Sequence, residues 1–326
     1  MIVSIIIPIF NVAQYIEGCL RSVMQQTYKG AIECLIVDDC GTDDSIAIAE
    51  HMIDVYKGPI RFDIIHHEHN MGLSAARNTG TMRAKGDYIY YLDSDDEITE
   101  NCIEKLMAVA IKNPTIEMVQ GNAKLNIEMQ PDPIWKQFSI DNAKSNEEVR
   151  ACFYHKHLIP VTAWNKLIKR SFLMQNQLLF KEGLLWEDSH WLFFLLKYAT
   201  SVSFVSDVTY LHKRRPGSIV TDTDKITEAK HRAIFFHDVL TNLTFRDEWT
   251  EMRYIFEQFE SYYKPFVREL PEYQELFTLF WNKVKECKHR KLIERLAICY
   301  ILGKLNWIKS FNPYHQRREI TCTKLR

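Results

Sequence analysis

Leu92-Asp93-Ser94-Asp95-Asp96 sets three carboxylates within four residues, directly after the apolar run Tyr88 to Leu92. Like charges this close at an apolar strand end repel one another, and desolvation adds to the cost, so a cation is the natural remedy. Hard oxygen ligands of this kind suit Mn2+ or Mg2+ bound through one or two carboxylates plus diphosphate oxygens. The bland alternative is an acidic loop capping the helix near Thr99. A second acidic run, Asp38-Asp39-Cys40-Gly41-Thr42-Asp43-Asp44, also follows an apolar stretch. Asp43 or Asp44 suits the start of the next helix. Asp39 stands where a carboxylate can accept the N3 hydrogen of uracil or a ribose hydroxyl. Phe10, in Pro8-Ile9-Phe10-Asn11, can stack on a base or pack in the core. Arg77, one turn into a helix after Asn70-Met71-Gly72, can reach a nucleotide or pair with an acidic neighbour, and a surface salt bridge is the plainer reading.

These residues need a frame that brings them to one place. Apolar runs at Val3 to Ile7, Cys34 to Val37, Phe62 to Ile65, Tyr88 to Leu92 and Glu117 to Val119 read as strands. Between them Ile16, Leu20 and Val23, then Ile46, Ala49 and Ile53, then Leu73, Ala76 and Gly80, then Ile103, Leu106 and Ala110 recur at helical spacing. Four helices crossing between five strands make an α/β fold with a mostly parallel sheet, and ligands of such sheets bind beyond the strands' carboxyl ends. Asn113-Pro114 ends the fourth helix. Residues 122 to 160 are less regular, with a loop at Pro131-Asp132-Pro133. Trp191 to Tyr198 reads as an apolar helix, Val202 to Val205 and Val208 to His212 as two short strands, and the chain from Asp224 onward as helical, with an aromatic stripe that belongs to a core.

The 326 residues are 46% hydrophobic and 25% charged, the balance of a folded chain rather than a disordered one. A formal net charge of -1 gives no basic excess, so nucleic acid is not an expected partner. Neither G-x-G-x-x-G nor G-x-x-x-x-G-K-[ST] occurs, which removes the dinucleotide fingerprint and the P-loop. The eight cysteines form no C-x-x-C pair, and reduced thiols in the cytosol are the simplest account. No run reaches the roughly 18 to 20 apolar residues of a spanning helix. Residues 283 to 326 hold 12 Lys and Arg against 3 Asp and Glu, interleaved with Leu292, Leu296, Ile298, Leu302, Leu305, Trp307 and Ile308. Such a segment is either a basic amphipathic helix on an anionic membrane or a packed helix with a solvated face. Vesicle co-sedimentation with and without residues 283 to 326 separates the two, since equal binding removes the membrane reading.

The ordered set Pro8-Ile9-Phe10-Asn11, Val37-Asp38-Asp39, Asn70-Met71-Gly72 with Ala76-Arg77-Asn78, Gly86-Asp87-Tyr88 and Leu92-Asp93-Ser94-Asp95-Asp96 resembles the family 2 glycosyltransferases of GT-A fold. The likeness is close over the first third of the chain and looser to about residue 220. It implies a GT-A catalytic domain over 1–220 and a helical C-terminal extension over 221–326. It also implies a metal-dependent inverting enzyme of bacterial-type cell-surface glycan synthesis, taking a nucleotide-sugar donor, most readily a UDP-sugar, and a glycan or lipid-linked acceptor. Carried over residue by residue, Phe10 packs on the base beside Pro8, Asp39 reads uracil and Arg77 supports the nucleoside pocket. Asp93 and Asp95 take the D-x-D role at ribose and metal, with Asp96 a second candidate ligand. In Trp186-Glu187-Asp188-Ser189, Asp188 matches the general base and Glu187 its neighbour, although by itself Asp188 reads as a helix N-cap. Arg214, Arg215 and Ser218 match a basic loop over the diphosphate, and His212 a further metal ligand, against a structural role. Trp164-Asn165-Lys166 matches the acceptor side, where Trp164 and Lys166 meet a sugar, against core packing of the indole. The sequence departs from the family's Asp-Asp-Gly-Ser in writing Asp39-Cys40-Gly41, which moves the flexible glycine by one place. The expected location is the cytoplasm, peripheral to the inner face of the membrane. A nucleotidyltransferase on sugar phosphates and a catalytically inactive sugar-binding scaffold are the rivals.

Overall fold

The structure is a computed structural model, and the residues it describes are 1–125, 138, 140–213, 224–243, 254–255 and 272–286. The chain divides into two compact units, Met1–Thr223 and Asp224–Arg326. The first opens with β1 (Ile2–Ile9), α1 (Ile16–Met24), β2 (Ala31–Asp38), α2 (Ser45–Val55), β3 (Arg61–His66), α3 (Leu73–Arg83) and β4 (Tyr88–Tyr91). It continues through β5 (Glu97–Ile98), α4 (Cys102–Lys112), β6 (Met118–Leu125), β7 (Asn142–Ala143), α5 (Asn146–Tyr154), β8 (Lys166–Lys169), α6 (Arg170–Gln175), α7 (Glu187–Tyr198) and β9 (Val202–His212).

One mixed sheet of order β3-β2-β1-β4-β8-β6-β9-β5 runs through this unit, with β7 paired to β9. β1 lies parallel to β2 and β4, and β2 parallel to β3. β8 enters antiparallel between β4 and β6, while β6 and β9 run parallel. The reversal at β8 returns β6 and β9 to the direction of β1 to β4. Their carboxyl ends therefore share one rim with the start of β8. Both faces are covered, so β1 reads as a continuous apolar run. Val3, Ile5, Ile7 and Ile9 join one core with α1 and α4, and Ile6 joins the other with α6 and α7, as the period of two requires.

The expected α/β fold with its five strands and four crossing helices is present, and α4 ends at the expected Asn113. Five elements were not expected: β5 and β7 are two residues long, β8 is a four-residue Lys-Leu-Ile-Lys run without a period, and α5 and α6 lie within or just after the stretch read as irregular. The two strands expected at 202–205 and 208–212 are one strand, β9. Its exposed Ser206 and Asp207 sit where the register against Gln120, Asn122 and Ala123 shifts, so a bulge was mistaken for a turn. Gly121 of β6 answers a close approach, because a Cβ there would meet Thr209 Oγ1 at 2.1 Å and Asn165 Oδ1 at 2.6 Å.

In the second unit, α8 (Lys225–Asn242) is capped by Asp224, whose Oδ1 accepts the N–H of Ile226 and Thr227 at 2.9 and 3.0 Å. Ala229, Ala233, Phe236 and Leu240 form its buried stripe, and it packs against α9 (Glu272–Glu286) through Leu276 and Phe280. Among the described residues no helix is long and apolar enough to cross a membrane. The tail beyond Glu286 lies outside the described residues.

Candidate active site

The loops after β1, β2 and β3 are tied to one another before any ligand is considered. Asp39 N–H donates to Ile9 O at 3.0 Å, which sets Asp39 beside Phe10 across the β1–β2 pair. The Asp39 carboxylate is buried and accepts N–H from Met71 at 2.7 Å and Gly72 at 2.8 Å, with His67 Nδ1 at 2.8 Å from the same Oδ1. It thereby holds the turn that starts α3, where Gly72 takes a φ of 87°. Asn11 accepts from Thr42 N–H at 2.7 Å and Asp43 from Ala13 N–H at 2.8 Å, so Asp43 both opens α2 and braces the first loop. Cys40 sits at φ 56°, so the left-handed position of this loop falls on the cysteine and not on Gly41. Pro8 is buried in β1, whereas Phe10 is 45% exposed at the strand end, which decides against the core reading of its ring.

Arg77 joins the two halves of the site. Its side chain is 1% exposed, and its guanidinium forks: Nη2 donates to Asp93 at 2.7 Å, and Nη1 to Glu187 at 2.5 Å and Asp188 at 2.8 Å. The cation also lies 5.2 Å from the centre of the Phe180 ring, which stacks on Trp191 at 4.7 Å. Asn78 secures that wall by exchanging two hydrogen bonds with the Phe180 backbone, at 2.8 and 2.9 Å. This is not a surface salt bridge, because carboxylates and an aromatic face enclose the head group. Asp188 is not an N-cap either: Trp186 caps α7, and Asp188 turns from the first helical turn toward Arg77.

The side-chain oxygens of Asp93, Asp95 and Asp96 lie within 4.8 Å of one another. Asp96 is the innermost, buried and accepting from Tyr210 OH and from Lys213 N–H, both at 2.7 Å. The Tyr210 hydroxyl in turn receives Asp93 N–H at 3.4 Å, so β9 shapes the acidic loop from beneath. Burial, with repulsion from Asp95 and Asp93, pushes the Asp96 carboxyl well above the usual carboxylate range. Asp93 has the Arg77 cation beside it, and three carboxylates this close together suit a hard dication. His212 is not part of this cluster; its ring lies 5.8 Å from Trp164.

Trp164 and Lys166, expected on the acceptor side, are both buried. Trp164 is 6% exposed and stacks one face on Tyr210 at 4.4 Å with an interplanar angle of 10°. Lys166 is wholly buried, donates to Thr162 O at 2.5 Å and faces Asp188. Between them Asn165, at φ 60°, accepts from Thr209 and Tyr90 hydroxyls at 2.7 and 3.2 Å and donates to Asn122 O at 2.9 Å. Arg214, Arg215 and Ser218 lie outside the described residues. Sequence reasoning missed Tyr210 and Asn78 as supports; Asn78 stood beside Arg77 and Tyr210 inside an expected strand, yet their roles depend on contacts more than a hundred residues away.

The electrostatics follow from burial. Desolvation raises the Glu187 carboxyl, with Asp188 adding to it and Arg77 opposing. Desolvation likewise raises Asp188, opposed by Arg77, by a hydrogen bond from Ala163 N–H and by Lys166. Desolvation lowers the Lys166 ammonium to about 7, opposed by Asp188. Against its own burial, Arg77 is held charged by Asp188, Asp93 and Glu187 together.

A family model described as Glycosyl transferase family 2 matches residues 4–175, from β1 through α6. A cholesterol galactosyltransferase of Borreliella burgdorferi is 25% identical, over 96% of this chain and 86% of its own length. Glycosyltransferase GlyG of Streptococcus pneumoniae is 29% identical over 67% of this chain and 73% of its own. Among solved structures, S. aureus TarS 1-349 in complex with UDP-GlcNAc superposes with a TM-score of 0.70 at 20% identity, covering 90% of this chain and 86% of that one. A mannosyltransferase of Pyrobaculum calidifontis, in complex with GDP-Man and Mn2+, gives 0.55 at 15% identity, covering 96% of this chain and 82% of that one.

Proposed function

The chain belongs to glycosyl transferase family 2 and has the GT-A fold, and from that premise we propose that it is a metal-dependent, inverting transferase of a sugar from a UDP-sugar to an acceptor hydroxyl. The observation that carries the reading is the Arg77 fork, which puts Asp93 of the acidic cluster and Asp188 on one guanidinium. An in-line displacement needs a group that takes the acceptor's proton on one side of the anomeric carbon and charge neutralisation of the leaving diphosphate on the other. The fork supports both within a single buried construction.

In this reading the base of the donor stacks on the exposed Phe10, in the loop braced by Asp39. Asp93 and Asp95 hold the dication, with Asp96 behind them. When bound, Mn2+ or Mg2+ supplies Lewis-acid neutralisation of the diphosphate. Asp188, 21% exposed at its side chain, takes the proton of the acceptor hydroxyl. Glu187, more deeply placed, shares Arg77 with it and fixes the helix start. Attack by that hydroxyl in one step inverts the anomeric configuration. The nucleotidyltransferase alternative falls with the family assignment. For the acceptor, the relative that spans 96% of this chain carries its galactose to a sterol, which supports testing lipid-borne hydroxyls beside glycans.

The test is a panel of nucleotide sugars with Mn2+ and both acceptor classes, with product configuration read by NMR. Asp188→Asn should lower transfer by about 10²- to 10⁴-fold while UDP binding by calorimetry stays within a factor of two or so. Full turnover by that variant rejects the base assignment, and a retained anomeric configuration rejects single displacement.

A further inference from the structure

We infer that Lys166 is a positioning residue for Asp188, acting through the peptide group between Thr162 and Ala163. The inference rests on reading Asp188 as the base and adds the device that keeps it aimed and ionised. A planar trans peptide directs its carbonyl and its N–H to opposite sides. Here both ends are taken: Lys166 Nζ donates to Thr162 O at 2.5 Å, and Ala163 N–H donates to the Asp188 carboxylate. The order is ammonium, peptide dipole, carboxylate. Each hydrogen bond is charge-assisted and polarises the other, and a buried site strengthens the chain.

Two further observations separate this from an ordinary core lysine. Lys166 is wholly buried, a costly place for a cation without an anion to justify it, and Asp188 is the charged group that supports its charge. Moreover, Nζ reaches the carbonyl and not the carboxylate in the hydrogen bonding of the site, so the lysine leaves an Asp188 oxygen available to an acceptor hydroxyl. The charged groups facing Asp188 are Arg77 of α3, Asp93 after β4, Glu187 of its own helix and Lys166 of β8. Arg77 divides its charge among three carboxylates, whereas the lysine and its peptide address Asp188 alone. Placement follows from the sheet: β8 runs antiparallel to β4 and β6, so its first residue, paired with Gln120, lies at the rim where the parallel strands end.

The experiment follows the Asp188 carboxyl by ¹³C NMR in selectively labelled full-length protein, assigned through Asp188→Asn, in wild type, Lys166→Met and Lys166→Arg. Loss of the cation should raise the Asp188 midpoint by about one pH unit, a tenfold change in its ionisation, and the arginine variant should restore most of it. Turnover of whichever UDP-sugar reacts in the donor panel should fall in kcat on the acid side of the profile with donor KM unchanged. An Asp188 midpoint that is the same in wild type and Lys166→Met overturns the proposal. Should Lys166→Met fail to fold, the reciprocal measurement serves: the ¹⁵N-observed Lys166 midpoint must fall in Asp188→Asn, and no change there overturns the proposal equally. Shifted midpoints without any sugar transfer defeat the glycosyltransfer reading and keep the lysine–aspartate relay. Normal midpoints with transfer lost in Asp188→Asn do the reverse.

Discussion

Replacing Arg77 with Met removes the guanidinium that Asp93, Glu187 and Asp188 share while keeping an unbranched apolar stem against Phe180. Stripping one partner from a buried ion pair costs about 3 to 5 kcal/mol, because the other charge is left without compensation. Three carboxylates lose their partner here, yet Asp93 at 28% exposure and Asp188 at 21% can draw on water, so the lower figure, about 3 kcal/mol, is expected at pH 8. Glu187, 8% exposed, has no such recourse and should take up a proton. The sign of the pH dependence then follows. Burial already raises Glu187 and Asp188, Arg77 opposes the rise, and without it both go higher. A carboxyl raised in the folded state lends its relative stability below its unfolded value, about 4, and loses it as pH climbs through the folded value. The deficit of the variant should therefore shrink from pH 8 to pH 5. Urea unfolding of both proteins at pH 5, 6.5 and 8, read by the fluorescence of a catalytic unit that includes Trp191, measures it. A deficit that is equal at all three values, or below about 0.5 kcal/mol at pH 8, would refute the argument that Arg77 neutralises this cluster.

Two further perturbations test the supports of the site. Tyr210→Phe removes the hydroxyl that bonds Asp96 and receives Asp93 N–H, and should weaken Mn2+ binding about 10-fold, as loss of an outer-shell partner does; unchanged affinity by Mn2+ paramagnetic resonance rejects that support. Phe10→Ala truncates an exposed ring, so thermal stability should move by less than about 0.5 kcal/mol while UDP affinity falls roughly 10-fold from the lost stack; equal UDP affinity removes Phe10 from the donor site.

What could be read from the sequence was whatever is local. Asp93, Asp95 and Asp96 are adjacent in the chain, follow a strand of obvious pattern, and announce their chemistry by mutual repulsion. The α/β frame was equally open, because β1, β2 and β4 are buried on both faces and their apolar runs are unbroken. Arg77 was a different case. Its type was visible, but its partners Glu187 and Asp188 lie 110 and 111 residues further on, and no local pattern distinguishes a buried fork from a surface pair. Lys166 was a related case: its place on the acceptor side came from the resemblance alone, and since lysine is almost never wholly buried, nothing local foretold the burial it has. Cys40 held a further lesson. The glycine displaced by one place put the loop in question, and the left-handed φ of 56° falls on the cysteine, whose N–H donates to Asp38 at 3.0 Å.

The antiparallel β8 explains why the side of the site around Asp188 and Lys166 gave no local signal of its own, and was reached only through the resemblance, while the acidic loop did. In a purely parallel sheet every strand meets the rim with its carboxyl end, and each rim residue follows an apolar run that advertises it. β8 meets the same rim with its amino end, so Ala163 precedes the strand and Lys166 opens it, at the close of an irregular stretch. The matched family segment ends at residue 175, before Glu187 and Asp188. The fold therefore joins a parallel half, whose loops carry Phe10, Asp39 and the three aspartates, to a reversed half that carries Lys166 and leads to Asp188. Arg77 bridges the two from α3. A charge carried on one side of that bridge is felt on the other, because the same guanidinium answers to Asp93 and to Asp188. Neutralising Asp93 frees more of the cation for Asp188 and favours its ionised carboxylate, so under the proposed function a change at the acidic loop is felt at the proposed base.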